Sequence, residues 1–282
     1  MNCYLCNSSA LSLRRGMVRD APGIKIFECI NCGLVALDSS SHITENHYQE
    51  SGMHGPAIPS MLSWLNETDR DDERRFKMVK ESIVNRKILD FGCGAAGFLK
   101  KIQGVAAEAV GVELEQRVHE HWGDQMAIHK SLDSVGRQYD LITAFHVLEH
   151  MADPREQLKN FSRHLSTDGR IIIEVPNSED ALLTLFDSDH FQRFTYWSQH
   201  LFLFNAATLK MLIQQAGLHT ISIKQCQRYP LSNHLYWLSQ GKPGGHKSWQ
   251  FLDSEQLDCA YANSLASIGK CDTLIAYVEL DH

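Results

Sequence analysis

The sequence predicts an α/β protein built on a doubly wound parallel sheet, with a small metal-binding module at its N-terminus. Three observations predict it. Strand-like and helix-like segments alternate from Arg86 onward, a glycine-rich turn joins the first such strand to a helix, and two Cys-x-x-Cys pairs stand near the N-terminus. Alternating βα units place parallel strands side by side with helices on both faces. A chain of 282 residues can build one full-sized core and a small accessory module.

The N-terminal cysteines form two matched pairs, Cys3 with Cys6 and Cys29 with Cys32. Each pair predicts a tight turn that presents two thiolates, and Gly33 suits the left-handed backbone that such turns require. Four thiolates at this spacing predict a tetrahedral Zn²⁺ site, and a structural one because no position is left for a reactant. Four unrelated thiols or a redox pair are the alternatives. The segments GMVRD and GIKIFEC predict a short hairpin between the pairs.

Five segments predict the strands of the main sheet: KILDFG, AEAVGVE, QMAIHK, YDLITAF and GRIIIEV. They are short and mostly apolar, and segments with helical periodicity separate them. Strands of this kind fit a parallel sheet that is buried on both faces.

The first of these strands runs into Gly92-x-Gly94-x-x-Gly97, where glycines let the backbone turn tightly and approach a ligand. The pattern departs from the dinucleotide-binding form. Asp90 stands two residues before the first glycine, where its charge would repel a pyrophosphate but can accept hydrogen bonds from an ammonium group. The second strand ends at Glu113, whose carboxylate can bind the two hydroxyls of a ribose.

The order and spacing of these segments resemble the class I methyltransferases that use S-adenosylmethionine. ILDFGCGAAGFL resembles their first motif, VGVE their second, and YDLITAFHVLEHMADP their fourth-strand motif. HLFLFNAATLKMLIQQAGLHTISI is similar to their last helix and sixth strand, and CDTLIAYVEL to their seventh strand. The resemblance covers about residues 80–225 and the last ten. It implies a Rossmann-like sheet of seven strands, the seventh antiparallel.

The resemblance also implies which residues bind S-adenosylmethionine: Asp90, Gly92, Gly94, Glu113, Ser131, Leu132, Phe145 and His146. In this set the glycines line the donor, and the two carboxylates bind its amino-acid end and its ribose. Ser131 and Leu132 are expected against the adenine, with plain loop and core positions as the alternative. Phe145 and His146 are expected beside the methionine portion, with a core aromatic as the alternative for Phe145.

His146 to His150 match H-x-x-E-H, a pattern of some zinc peptidases, which would bind a second zinc ion. Peptidase chemistry needs both histidines on one helical face, whereas the preceding strand places His146 at a strand-to-helix turn. Asp153, which precedes a proline, predicts the cap of the next helix. We therefore reject the peptidase hypothesis. Glu149 and His150 are expected to shape the donor pocket or its acceptor side, or to pack beneath the loop.

The segment from His190 to His200 follows the fifth strand, so it should lie over the carboxyl ends of the strands, where ligands bind. Together with the zinc module, it resembles the sugar methyltransferases of surface-polysaccharide and deoxysugar pathways. Some carbon-methylating members carry Tyr-x-Glu-His where this sequence has Trp197-Ser-Gln-His200. This difference counts against carbon methylation, whereas His200 could still deprotonate a hydroxyl for O-methylation. We expect a nucleotide-linked sugar as the acceptor, with His200 and His146 as the candidate catalytic residues, and the methylated atom stays open between oxygen, nitrogen and carbon. A structural histidine is the alternative for His200.

The predicted domains are a zinc ribbon at 1–40, a helical lid at 41–84 and a methyltransferase core at 85–282. Aromatic-rich acceptor insertions are expected at 177–200 and 226–270. The second insertion is glycine-rich and is interpreted as a loop that lines the acceptor pocket or contacts a second copy of the chain in a homo-oligomer.

The predicted lid helix has one apolar stripe, at Leu62, Leu65, Phe76, Val79 and Ile83. Tyr48, Met53 and Arg75 are expected to reach the donor from this segment. The run DRDDERR is interpreted as a solvated helical face.

Composition excludes several other functions. The net charge of −7 argues against non-specific nucleic-acid binding. No signal peptide or apolar run of about 18 residues is found, so we expect a cytoplasmic protein that does not enter membranes. Two alternatives stay open. One is an RNA or protein methyltransferase that docks its target through the ribbon, and the other is a non-catalytic scaffold that binds the donor.

Overall fold

The computed structural model describes residues 2–40, 42–43, 48–54, 57–136 and 138–281. Part of the predicted lid segment therefore lies outside the described residues. Within them the chain forms one sheet of four strands and one of seven.

The small sheet starts with the antiparallel strands β1 (Leu11–Leu13), β2 (Ile26–Cys29) and β3 (Val35–Leu37). The prediction of a strand at GMVRD is wrong, because β1 takes that place and pairs Leu13 with Phe27. The GMVRD segment instead runs along Tyr196 of the core. A Cβ on Gly16 would lie 2.4 Å from the Tyr196 ring, so only glycine lets the backbone pass so close.

The large sheet has the order β10-β11-β8-β7-β4-β5-β6. Its strands are β4 (Lys87–Phe91), β5 (Glu108–Val112), β6 (Ala127–His129), β7 (Tyr139–Phe145), β8 (Leu165–Pro176), β10 (Leu218–Cys226) and β11 (Thr273–Leu280). β11 is antiparallel to both of its neighbours, and the other pairs are parallel. The sequence prediction of a Rossmann-like sheet with an antiparallel seventh strand is confirmed.

Helices cover both faces of this sheet: α1 (Met61–Val79), α2 (Gly97–Ile102), α3 (Gln116–Trp122), α4 (Pro154–His164), α5 (Ala181–Thr184), α6 (Asp189–Thr195), α7 (Ala206–Gln215), α8 (Leu231–Gln240), α9 (Gly245–Ser248) and α10 (Glu255–Ser267). Ile88 and Leu89, neighbours on β4, are both fully buried but belong to different apolar clusters. Alternate residues of a strand point to opposite faces, so both faces of the sheet are packed.

Side chains cap the N-termini of several helices and so fix the residue at which each helix begins. The Asp153 side chain accepts a hydrogen bond from the Glu156 N–H, as the sequence predicted, and Asn205 forms a capping box with Thr208. α1 departs from its predicted stripe: Leu62 is 69% exposed and Trp64 is buried in its place. Ile83 is buried beyond the end of the helix.

The segment between β10 and β11 contains three helices, α8 to α10, so its interpretation as a loop is wrong. Two of its glycines, Gly241 and Gly244, are helix caps. Gly241 ends α8 with φ of +64°, and Gly244 precedes α9 with φ of +108°, backbone angles that glycine adopts without strain. The glycines that indicated a loop therefore lie at the ends of short helices.

The small sheet is joined directly to the core. Its fourth strand, β9 (Phe202–Leu203), comes from the segment after His200 and pairs with β3, Val35 opposite Leu203. The Arg14 Nε donates to the Tyr196 hydroxyl at 2.9 Å, and its Nη2 donates to the Ser178 carbonyl at 2.7 Å. In the described part of the chain, no helix has both the length and the apolar character needed to cross a membrane.

Candidate functional site

One cleft of about 560 Å³ opens at the carboxyl ends of β4, β5, β7 and β8. The strand-to-helix turn after β4 forms one end, and aromatic and histidine side chains of later segments line the rest. Ligands of open α/β sheets bind at this edge.

The predicted glycine turn lines the cleft through Gly92 and Gly94, which have φ of +68° and +53°. A Cβ on Gly92 would lie 2.5 Å from Val147 Cγ2, so the turn packs against the segment that follows β7. The Glu113 carboxylate accepts hydrogen bonds from the backbone N–H groups of Gly94 at 2.8 Å and Leu114 at 2.7 Å. Burial raises the pKa of Glu113 above its ordinary value.

Asp90 lies at the floor of the same end and is 2% exposed. The Thr143 hydroxyl donates to its Oδ1 at 2.7 Å. Burial raises the pKa of this carboxyl to about 7. A buried carboxylate is costly without a positive partner, so the position suits a cationic ligand group.

A buried carboxylate of β8, Glu174, ties α1 to the turn after β7. Arg74 Nη2 and Arg75 Nη2 each donate to Glu174 Oε1 at 2.8 Å, and His146 Nε2 lies 3.1 Å from the same oxygen. Burial acts to raise the pKa of Glu174, but His146, Arg75 and Arg74 hold it well below its ordinary value. Glu174 is therefore ionised and fixes three side chains at once.

The interpretation of DRDDERR as a solvated face holds for Asp69 and Arg70, which are exposed, but is wrong for Asp71, Asp72, Arg74 and Arg75. The Arg75 guanidinium lies 4.7 Å from the centre of the Phe145 ring, and Asp72 is 5% exposed. Asp71 accepts two hydrogen bonds from Arg228, at 3.1 and 2.5 Å. Charged residues usually predict exposure, but Asp71 and Arg74 find partners on distant segments, which the local sequence does not reveal. Asp72 instead accepts a hydrogen bond from Thr68 and pairs with Arg75 on the same helix.

His146 lies directly after β7 with φ of +56°, at the strand-to-helix turn that the sequence predicted. Its Nδ1 is 3.1 Å from Glu149 Oε1, and its Nε2 is 3.0 Å from Arg228 Nη1. Although burial and Arg228 act to lower it, hydrogen bonds with Glu149 and Glu174 raise the pKa of His146. The zinc-peptidase arrangement is not formed, because only a short 3₁₀ turn, Leu148–His150, follows His146.

Glu149, His150 and His200 meet farther along the cleft. Each offers one ligand-type atom, and these atoms lie within 4.8 Å of one another. The rings of His150 and His200 have centroids 5.0 Å apart, and the Trp197 ring is 5.5 Å from His200. Burial, followed by the neighbouring His150, lowers the pKa of His200 to about 3, so its ring is neutral at pH 7.

Aromatic side chains form a wall beyond these histidines. Trp237 contacts Phe191 and Phe194, with ring centroids 5.2 and 5.1 Å apart. Both predicted insertions contribute to the lining: Leu182, Leu183, Phe191, Phe194, Trp197, Tyr229, His234, Trp237 and His246. Tyr48, Met53 and Arg75, expected to reach the donor, line the cleft as well.

Ser131 and Leu132 are placed differently from the other expected donor contacts. The described lining of the cleft does not include them. Ser131 is exposed and caps a 3₁₀ turn by accepting from the Asp133 N–H, and Leu132 is buried in the core. Sequence reasoning missed several residues that shape the site: Trp64, Asp71, Arg74, Glu174 and Arg228. Of these, only the lone glutamate in the apolar run IIIEV carried a local signal.

The four N-terminal cysteines meet at one point away from the cleft. Their sulfurs lie within 4.8 Å of one another, with Sγ–Sγ distances of 3.5 Å for Cys3–Cys32 and for Cys6–Cys29. Gly33 has the expected left-handed backbone, with φ of +81°, and its N–H donates to the Cys29 carbonyl at 2.8 Å. The two turns therefore present four thiols toward one another.

Comparison with known proteins agrees with this geometry. The methyltransferase-domain family matches residues 66–223, more than half of the chain. The ubiquinone biosynthesis O-methyltransferase of Acinetobacter baylyi is 20% identical over 198 residues, 64% of this chain and 78% of that protein. The chloroplastic tocopherol O-methyltransferase of Arabidopsis thaliana is 25% identical over 150 residues, 48% of this chain and 40% of that protein.

Among solved structures, the fold is similar to one in a complex of the Haloferax volcanii Trm112 methyltransferase activator with a methyltransferase. The TM-score is 0.50 at 13% identity, and the match covers 80% of this chain and 100% of the other. On the family match, together with the strand order and the glycine turn, the chain belongs to the methyltransferase-domain family and is a class I S-adenosylmethionine-dependent methyltransferase.

Proposed function

We propose that the protein transfers the methyl group of S-adenosylmethionine to a hydroxyl oxygen of a small, ring-bearing acceptor. One observation carries this proposal: the glycine turn with Asp90 and Glu113 shares a single cleft with a wall of aromatic and histidine side chains. The relatives described above are named as O-methyltransferases, which supports oxygen as the methylated atom.

At the donor end, we assign the ammonium group of the methionine portion to Asp90 and the ribose hydroxyls to Glu113. Gly92 and Gly94 leave room for the ligand, and Phe145 and His146 lie beside the methionine portion. The contact of Ser131 and Leu132 with adenine stays a prediction. Glu113 Oε2 accepts one hydrogen bond, from the Gly94 N–H, and keeps a second lone pair for a ribose hydroxyl.

Methyl transfer is an in-line displacement at a sulfonium, so the enzyme mainly aligns the two reactants and excludes water. The acceptor hydroxyl must also lose its proton. Sequence reasoning assigned that role to His200, with His146 nearby, and it stays a prediction. The low pKa of His200 leaves its ring unprotonated but makes it a weak base.

The electrostatics of the cleft bear on the class of acceptor. Among the described residues that line it, the guanidinium groups are those of Arg75 and Arg228, and both are held in ion pairs. A diphosphate would therefore find no unpaired arginine inside. This favours an uncharged ring, phenolic or saccharide, in the aromatic part of the cleft. A nucleotide-linked sugar, the acceptor predicted from sequence, would have to hold its diphosphate at the mouth.

We propose further that Cys3, Cys6, Cys29 and Cys32 hold a structural Zn²⁺. Tetrahedral coordination with Zn–S distances of about 2.3 Å gives sulfur separations of about 3.8 Å, near the 3.5 Å of the two closest pairs. That distance is far too long for a disulfide bond. Four thiolate ligands leave no open position, so zinc here would stabilise the ribbon without taking part in methyl transfer.

The experiment is release of S-adenosylhomocysteine across a panel of phenols, free sugars and nucleotide-linked sugars, with donor binding measured by calorimetry. We expect donor binding, and turnover with an uncharged ring that carries a hydroxyl. Turnover confined to nucleotide-linked sugars would restore the acceptor predicted from sequence. A protein that binds the donor but methylates no small hydroxyl compound would contradict the proposed acceptor.

Elemental analysis of the purified protein tests the zinc site independently. We expect the cysteine cluster to hold one zinc ion, so that Cys29→Ser contains one zinc ion per chain fewer than the parent and Cys259→Ser, at an exposed thiol far along the chain, contains as many as the parent. Equal zinc content in the two variants would exclude the ribbon site.

A further inference from the structure

Two buried polar atoms of the cluster formed by Glu149, His150 and His200 find no hydrogen-bond partner among the described residues. They are Glu149 Oε2 and His200 Nδ1. Glu149 is fully buried, so bulk water does not donate a hydrogen bond to its free oxygen. A buried polar atom without a hydrogen-bond partner costs free energy. Glu149 and His200 belong to a cluster whose ligand-type atoms lie within 4.8 Å of one another, so their two unsatisfied atoms point to an absent ligand.

Hydrogen bonds hold two side chains of this cluster, Glu149 and His150, in place. Glu149 Oε1 is bonded to His146 Nδ1 at 3.1 Å, which leaves Oε2 as its free oxygen. His150 Nδ1 donates to the Gln199 carbonyl at 2.9 Å, which leaves a lone pair on Nε2. Metal-binding histidines usually bond their second ring nitrogen to a carbonyl or carboxylate in this way, because it fixes the tautomer and orients the ring.

We propose that Glu149, His150 and His200 form a binding site for a divalent transition-metal ion, separate from the cysteine cluster. The ligand atoms are Glu149 Oε2, His150 Nε2 and His200 Nδ1. Two imidazoles with one carboxylate select Mn²⁺, Fe²⁺, Co²⁺ or Zn²⁺ over Mg²⁺ and Ca²⁺, which prefer oxygen ligands. Three protein ligands leave open positions facing the cleft, which distinguishes this site from a closed structural one.

The proposed site differs from the peptidase arrangement that the H-x-x-E-H pattern indicates. In that arrangement the two histidines of the motif bind the metal and the glutamate does not. Here His146 is engaged with Arg228 and Glu149, and the glutamate replaces it as a ligand. His200, supplied by a segment 50 positions after His150, completes the set.

The role of the ion rests on the proposed function. A metal ion binds the acceptor hydroxyl oxygen and lowers its pKa, so that its proton leaves to solvent through the open cleft. The oxygen then forms the new C–O bond while the S–CH₃ bond of the donor breaks, and both electrons of that bond stay on sulfur. No electron transfer is involved. His200 then acts as a metal ligand and is not required as the base.

The test uses the full chain loaded with one equivalent of Zn²⁺, which the four thiolates of the cysteine cluster take up in preference to a site with three mixed ligands. This protein is titrated with Mn²⁺ while free Mn²⁺ is followed by electron paramagnetic resonance. We expect one Mn²⁺ per chain. Because an outer hydrogen-bond partner alone changes metal affinity by about 10- to 100-fold, loss of a ligand in Glu149→Gln or His200→Ala should weaken binding by at least that factor. Glu149→Gln preserves shape, and circular dichroism checks that each variant folds.

His219→Ala is the matched control. His219 lies on the edge strand β10 and forms an exposed pair with Glu279 of β11. This variant should bind Mn²⁺ like the parent protein. The metal site would be overturned if the parent protein bound no Mn²⁺, or if all variants bound Mn²⁺ as tightly as the parent. Donor binding by calorimetry keeps the two proposals apart. Donor binding and turnover without Mn²⁺ binding would refute the site alone, whereas Mn²⁺ binding without hydroxyl methylation would refute the acceptor proposal alone.

Discussion

The two ends of the cleft are built in different ways. The donor end takes its carboxylates from two adjacent strand ends, at Asp90 and Glu113. Asp90 already accepts a hydrogen bond from Thr143 on β7, and Glu113 accepts one from the Gly94 N–H. The acceptor end takes residues from many segments of the chain. There, Glu149 Oε2 and His200 Nδ1 find no hydrogen-bond partner among the described residues. A site for a common cofactor can be encoded in one short motif, whereas a site for a particular acceptor depends on how distant segments fold together.

Glu174 joins the two ends, so its loss should have the largest effect. Glu174→Gln removes the negative charge from Arg74, Arg75 and His146 and leaves positive charges buried. We expect the free energy of unfolding to fall by about 3–5 kcal/mol, the usual cost of breaking a buried ion pair from one side. Urea denaturation measures it. Glu279→Gln, at an exposed pair, should change stability by less than about 1 kcal/mol. Similar losses in the two variants would mean that Glu174 is not the link.

Gly92→Ala tests the packing of the donor turn against the segment after β7. Its φ of +68° and a Cβ position 2.5 Å from Val147 should together cost about 2 kcal/mol of stability. Donor affinity by calorimetry should fall as well. Gly104→Ala is the control, because its Cβ would meet nothing within 4 Å. If both variants bind the donor like the parent, the turn does not approach the ligand closely.

Asp90 should make donor binding depend on pH. Its pKa in the free protein is about 7, and the donor ammonium favours the ionised form. Affinity should therefore rise as pH increases through 7 and level off above it, with about tenfold weaker binding at pH 6 than on the plateau. Asp90→Asn should flatten this dependence. Calorimetry between pH 6 and 8 measures both proteins, and an unchanged slope in the variant would assign the titration to another group.

The raised pKa of Asp90 should also make the stability of the folded protein depend on pH. A carboxyl whose pKa is raised by folding binds its proton more tightly in the folded state. Its contribution is therefore fully present below the ordinary value of 3.8 and is lost as pH rises toward 7. The ligand-free protein should lose stability over this window, and saturating donor should reduce the loss. Thermal melts across the same pH range, with and without donor, measure the difference.

Ser131→Ala should have the smallest effect. The hydroxyl is exposed and already accepts a backbone hydrogen bond, so donor affinity should change less than about threefold, under 1 kcal/mol. A loss of tenfold or more would instead support the contact with adenine that the family resemblance implies.

Sequence reasoning predicted the sheet well, because apolar strands and the glycine turn are local patterns. It predicted that His146 follows the strand and that the four cysteines cluster, since both depend on spacing of a few residues. It missed the partners of Asp71 and Glu174, which lie about 100 or more positions away. It also mistook capping glycines in residues 226–270 for a loop, because composition does not distinguish a turn from the end of a short helix.

The pairing of β3 with β9 limits how this protein can be divided or recombined. A chain shortened to start after residue 40 would lack the partner of β9 and expose Phe202 and Leu203, now 8% and 4% accessible. An open apolar edge strand favours aggregation. The N-terminal strands of the small sheet therefore cannot be removed or replaced without exposing this apolar edge. β9 begins two residues after His200 and pairs with β3, which follows the second cysteine pair. Unfolding of the cysteine cluster should therefore displace His200, at the acceptor end, before it affects the donor end.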